Sequence, residues 1–283
     1  MSIRPPYVAG TFYSSNPKIL RRDIEQAFLH KYGPGKLPEK GRDNRSIIAL
    51  ICPHAGYMYS SHVAAHSYYE LSKEKAPESV VILNPNHTGM GTMLSMYGKG
   101  AWRTPFGTIQ IDEKLAFELY NHSNLINFDD QAHIYEHSAE VQLPFLQYLY
   151  DNKVKIVPIT MGYQDLETSR NLGDTLGNVL KDKNAIIIAS TDLTHQESQK
   201  SAIQKDELII EAIKAMSEIQ LQKIIQEYRL TMCGYGPVSA ALIAAKMLGA
   251  NKAEVLSYHT SGDITGDFNA VVGYASAKVI RTV

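Results

Sequence analysis

Cysteine is scarce in this chain. Only Cys52 and Cys233 occur among its 283 residues, far apart and in unlike contexts. That excludes a disulfide framework and favours two free thiols in an intracellular setting. Charge bias is missing too: the formal net charge is -1 and no basic run stands out. A nucleic-acid backbone or an anionic membrane surface therefore finds no electrostatic footprint. The apolar stretches fall short of the roughly 18 residues that suggest a membrane span. The opening MSIRPPYVAGTFYSS lacks the apolar core of a secretory signal. G-x-x-x-x-G-K-[ST], G-x-S-x-G and a complete G-x-G-x-x-G are all absent, which removes the P-loop, the nucleophile elbow and the dinucleotide fingerprint. These absences lead to the expectation of a cytoplasmic globular protein without nucleic-acid or membrane partners.

What is present is an alternation of two patterns. Short apolar runs at 47–52, 80–84, 154–160, 185–190, 253–258 and 270–276 read as strands. Between them, helical periodicity covers 60–72, 112–121, 139–150, 165–181, 202–228 (with a break) and 237–248, and another helix is expected over 16–30. Strands that are continuously apolar suit a sheet covered on both faces. The expectation is a single α/β domain over 1–283, with a largely parallel central sheet and helices on both faces. The Gly-, Pro- and charge-rich stretch 31–45 reads as a surface loop, and WRTPFGTIQID (102–112) as an added hairpin or edge strand.

Three of the apolar runs end in reactive residues. IALICPHAGY delivers His54, VVILNPNH delivers His87, and AIIIASTDLTH delivers Asp192 and His195. In an open α/β sheet, sites gather in the crevice beyond the carboxyl ends of the strands. Neutral imidazole is a common metal ligand whose second nitrogen needs an orienting partner. Asn84 and Asn86 are candidates for that partner or else turn formers. Asp192 reads either as a turn or cap residue or as the carboxylate that orients His195, a general acid or base. Cys233, in TMCGYGP, lies just before a helix start, where the positive end of the dipole favours thiolate; its alternative is a small buried hydrophobe, the reading given to Cys52. HIYEHSAEVQLP contains His-x-x-Glu-His, the inverted zinc-peptidase pattern, but Pro144 shortens any helix built there. His137 and Glu140 instead face the site jointly or lie on a surface helix end. Tyr57 lines a pocket or joins the core. His62 and His66, at i and i+4, fit a packed or solvated helix face equally well.

Taken together, AGTFYSS, PHAGYMYS, NPNHTG, WRTPFG, EHSAEVQLPFLQ, STDLTH and MCGYGP resemble the Memo family, in that family's order and over nearly the whole chain. The resemblance implies a fold like that of the class III extradiol dioxygenases. It also implies a metal site of His54, His87 and Cys233, with Asp192 and His195 beside it. Tyr57, Asn86, His137 and Glu140 would form the pocket or support the ligands. Where those dioxygenases use a carboxylate, this pattern offers Cys233, a softer ligand suited to copper, zinc or iron. The implied function is a metal-binding redox protein using iron or copper, with dioxygenase-like activity on an unidentified small molecule. One alternative is a peptide- or protein-binding module using the same pocket, since the family includes a vertebrate signalling adaptor. A second is a zinc-dependent hydrolase.

Overall fold

The computed structural model describes residues 2–39, 41 and 44–282. In chain order the first elements are β1 (Ile3–Arg4), α1 (Pro17–Leu29), β2 (Ile47–Cys52), α2 (Tyr57–Ser72), β3 (Ser79–Pro85), β4 (Leu94–Met96), β5 (Ala101–Thr104) and β6 (Gly107–Gln110). Next come α3 (Glu113–His122), β7 (Ile126–Phe128), α4 (Leu143–Tyr150), β8 (Lys155–Met161), α5 (Leu166–Val179), β9 (Ala185–Ser190) and β10 (His195–Glu197). The chain finishes with α6 (Gln199–Lys214), α7 (Glu218–Glu227), α8 (Tyr235–Met247), β11 (Lys252–Thr260), α9 (Gly262–Thr265) and β12 (Val271–Ile280).

Every expected strand and helix is present; 47–52 and 185–190 keep their expected ends and the others shift. The break expected within 202–228 falls between α6 and α7, where Ser217 caps the new helix by accepting the Gln220 amide N–H. Pro144 sits in the first turn of α4, where its missing N–H costs nothing, and a single 3-10 turn (Glu140–Gln142) replaces the start of the expected 139–150 helix. The described part of 31–45 carries no helix or strand, while positions 40, 42 and 43 lie outside the described residues. WRTPFGTIQID forms the β5–β6 hairpin, joined by β1 into a separate three-stranded sheet.

The main sheet runs β10-β12-β2-β9-β3-β8-β4-β7, with β11 also paired to β12. Its centre is parallel as expected, while its flanks add antiparallel strands. Only the centre, β2-β9-β3-β8, is continuously parallel; β12 runs antiparallel to β2, β10 and β11, and β4 antiparallel to β8. Apolar patterning reports which faces are covered but carries no direction, so the sheet is mixed.

Alternating residues of the central strands feed two cores. Ala49, Ile51, Val81, Leu83, Ile187 and Ala189 pack with α3, α5, α6, α7 and α8. Leu50, Cys52, Val80, Ile82, Ile186 and Ile188 pack on the other face with α1, α2 and α4. Period-2 alternation with both faces covered is why these runs are continuously apolar. Each fully buried aliphatic side chain contributes roughly 1.5–3 kcal/mol. Cys52 belongs to this core, and burial pushes its thiol up to about 12. Among the described residues, no helix is long and apolar enough to cross a membrane.

Candidate metal centre

Because β2, β9 and β3 are parallel neighbours, their carboxyl ends open onto one edge. His54, Asp192 and His87 each stand two residues beyond those ends. Cys233 arrives from the loop between α7 and α8, and its approach depends on the next residue. A Cβ on Gly234 would lie 2.5 Å from the Ser190 carbonyl oxygen, so only glycine lets this loop press against the end of β9. The His54, His87 and Cys233 donor atoms lie within 4.8 Å of one another.

The hydrogen-bond network decides which imidazole nitrogens are available. The single Ser190 hydroxyl proton goes to the Ser138 carbonyl, and the oxygen accepts the Gln142 amide at 2.8 Å. Its contact with His54 Nδ1 at 2.9 Å must then be an N–H donated by the ring. His54 Nε2 is left with its lone pair, 3.2 Å from Cys233 Sγ. Burial and the neighbouring imidazoles hold His54 well below the usual imidazole range, so the ring is neutral.

His87 is organised the same way. Its Nδ1 donates to Glu136 Oε1 at 2.9 Å and its amide to Glu136 Oε2 at 2.6 Å. Burial alone would raise the Glu136 carboxyl, but the His87 hydrogen bond and charge overcome it and hold the group down to about 2. The same pairing raises His87 despite partial burial. The His87 side chain keeps 34 % of its surface exposed, so the centre opens to solvent on this side. His137 stacks on His87 with ring centroids 4.7 Å apart and lies 4.8 Å from the Phe12 ring. Burial, ahead of the opposing charge of Glu136, lowers His137 to about 4.

Asp192 ties the strand ends together. Its Oδ1 accepts the His54 amide at 2.8 Å, its own amide donates to Cys233 Sγ at 3.1 Å, and its carbonyl accepts the Cys233 amide at 3.3 Å. Burial raises its carboxyl to about 6, against the hydrogen bond from His54. Burial and the adjacent Asp192 charge also push the Cys233 thiol up, so desolvation opposes the thiolate that the helix dipole would favour. The sulfur-directed N–H of Asp192 is nevertheless the contact a bound thiolate needs.

Other expectations fare differently. Asp192 does not orient His195: the His195 Nδ1 donates to the carbonyls of Leu193 and Thr231, at 2.7 and 2.9 Å. Gln196, at φ 58°, sits in the irregular pairing that turns this strand. Glu140 faces away from the site with its carboxylate on Arg4, and Asn86 folds back on the Thr88, Gly89 and Met90 turn. Tyr57 donates its hydroxyl to the Val141 carbonyl and packs on Phe145 in the core. His133 and His137 share no helix; His133 is fully buried, facing the Ser95 carbonyl and Thr160. His62 and His66 belong to a separate cluster away from these ligands, and burial with neighbouring imidazoles lowers His62 to about 3. Sequence reasoning missed Ser190 and Gln142 and saw Glu136 only as part of a peptidase pattern. The polar residue closing the apolar run AIIIAS was the one available signal.

The comparisons with known proteins agree with one another. The family described as "Memo-like protein" matches residues 4–278. A MEMO1 family protein of Methanocaldococcus jannaschii is 50% identical over 285 residues, covering 98% of this chain and 99% of the relative. One from Methanothermobacter thermautotrophicus is 48% identical over 275 residues, covering 96% and 99%. An uncharacterised Escherichia coli K12 protein of known structure shares the fold, with TM-score 0.60 and 13% identity over 82% of this chain and 99% of its own.

Proposed function

The chain belongs to the Memo-like protein family, and from that premise we propose that it is a metal-dependent redox protein centred on His54, His87 and Cys233. The observation that carries this reading is the commitment of both Nδ1 positions, to Ser190 and to Glu136, which leaves Nε2 of each ring to face a metal: bare in His54, and in His87, which Glu136 raises, free once the ring gives up its second proton. Core histidines ordinarily satisfy both nitrogens; these two are arranged as ligands whose far side is already held. Two imidazoles and a sulfur suit iron or copper, with zinc as the alternative. When bound, the metal supplies a Lewis-acidic, redox-active centre for a small molecule and O₂.

The protein's own groups do the rest. Ser190 and Glu136 fix the two rings, and Glu136 adds a negative charge beside the centre. Asp192 acts as a positioning residue that holds His54 and Cys233 in register. His137, against Phe12, forms a wall at the open side of His87. His195 is anchored through Nδ1, which leaves Nε2 as the atom that moves protons to or from a bound molecule.

Elemental mass spectrometry of untagged protein purified without oxygen tests the reading, with His87→Ala in parallel. Near-stoichiometric iron or copper in the parent, lost in the variant, is the expected result. Zinc would redirect the reading to hydrolysis by metal-bound hydroxide. No metal under any condition would sink it and leave a pocketed binding protein.

A further inference from the structure

A second group of imidazoles lies outside this centre: His30 just past α1, His62 and His66 on α2, and His259 on β11. We propose that His62 and His259, joined by His30, form a second site for a borderline divalent metal ion of the zinc type.

The first observation is an orphan. His62 is 3 % exposed, and its Nε2 is buried with no hydrogen-bond partner. Buried polar atoms in a folded protein normally have a partner, and an unmet nitrogen calls for an occupant. The second observation is spacing. The His62 ring centroid lies 4.9 Å from that of His30 and 5.8 Å from that of His259. Metal–nitrogen bonds of ~2.0–2.1 Å place the rings of two imidazoles on one ion about 5 Å apart. The ligand pair of the first centre, His54 and His87, stands at 5.2 Å.

The third observation is an orienting carboxylate. His259 Nδ1 faces Asp263 Oδ2 at 3.3 Å, and that oxygen is held by the Thr260 amide at 2.8 Å. This repeats the Glu136–His87 arrangement and leaves His259 Nε2 as the free nitrogen. His30 is the weakest of the three, because its Nδ1 accepts the Tyr32 amide and must give up that bond to change tautomer. His66 is already committed, donating to the Tyr32 carbonyl. A cavity of about 460 Å³ reaches His30 and His62, with Asp23 and Ser61 also in its lining, and gives water access to these two rings, while His259 lies outside that lining.

Among the described residues, only two groups already hold their donors within 4.8 Å, and both contain His87. The second site therefore closes by rotation of its rings and binds more weakly than the first. Once closed, it clamps the end of α1 to α2 and β11.

The test uses untagged protein carrying His54→Ala, His87→Ala and Cys233→Ser, which removes the first centre. Calorimetric titration with Zn²⁺ should find one remaining equivalent, accompanied by a rise in Tm. Adding His62→Phe or His259→Gln should abolish that equivalent, and Asp263→Asn should weaken it by about 10-fold or more. No zinc bound to the starting variant overturns the proposal. So does an equivalent that survives both His62→Phe and His259→Gln, since scattered surface histidines would then be its source. If His62→Phe does not fold, the partly exposed positions His259 and Asp263 carry the test.

Discussion

Glu136 and Glu140 are one helical turn apart in sequence, and both are buried, yet they serve different parts of the molecule. Glu140 accepts Arg4 Nη1 at 2.6 Å, the amides of Tyr7 and Val8, and the Tyr13 hydroxyl at 2.7 Å. Arg4 also donates to the His133 and Glu136 carbonyls and lies over the Trp102 ring. This carboxylate fastens the N-terminal segment to the 133–140 segment. Glu136 instead turns toward His87 and Ser138 and holds the His87 ring. A buried carboxylate takes its role from the donors that surround it, and those come from distant parts of the chain.

The comparison breaks most visibly at Glu140. Glu140→Ala strands Arg4 in the interior and should cost ~3–5 kcal/mol of stability, measured by denaturant unfolding. Molecules that still fold should keep their metal; parallel loss of metal would show that the two carboxylates are not separate. Glu136→Gln should do the reverse, lowering metal affinity about 10–100-fold with a smaller loss of stability.

The acid limb sharpens the same contrast. Glu136 is held down from 4.5 to about 2, so in metal-free protein its contribution is present above about 4.5 and lost as the pH falls toward 2. Glu136→Gln should flatten acid unfolding in that window, and an unchanged profile would deny the coupling. Ser190→Ala, which frees the His54 ring, should weaken metal binding by about 10-fold, the lower end of what lost orienting partners cost. His195→Ala should have the smallest effect on metal content, leaving it intact; loss of metal would make His195 a ligand rather than the proton-transfer group proposed.

Much of the fold was legible in the chain. The runs IIALIC and AIIIAS announced strands buried on both faces, and the residues two positions past β2, β3 and β9 do meet at one edge. The sheet's direction was not legible, because an apolar run reads alike parallel or antiparallel. The support of the two histidine rings was hidden for a related reason: the Ser190–His54 contact spans 136 positions and the Glu136–His87 contact 49. Residue type and local spacing carry no record of such pairings. Asn86 and Glu140 turn elsewhere because nearness in sequence to His87 and His137 does not fix direction in space, while Tyr57 packs on Phe145 and lines a cavity that His54, His87 and Cys233 do not.

By itself, then, the sequence determined the alternation of strands and helices, the covered faces of the central strands and the strand ends that bear His54, His87 and Asp192. Local periodicity and turn chemistry are enough for that. The tertiary structure alone decided which nitrogen of each histidine is held, that desolvation opposes ionisation of Cys233, and that Glu136 and Glu140 part company. Those properties depend on distant partners and on exclusion of water, which exist only once the chain has packed.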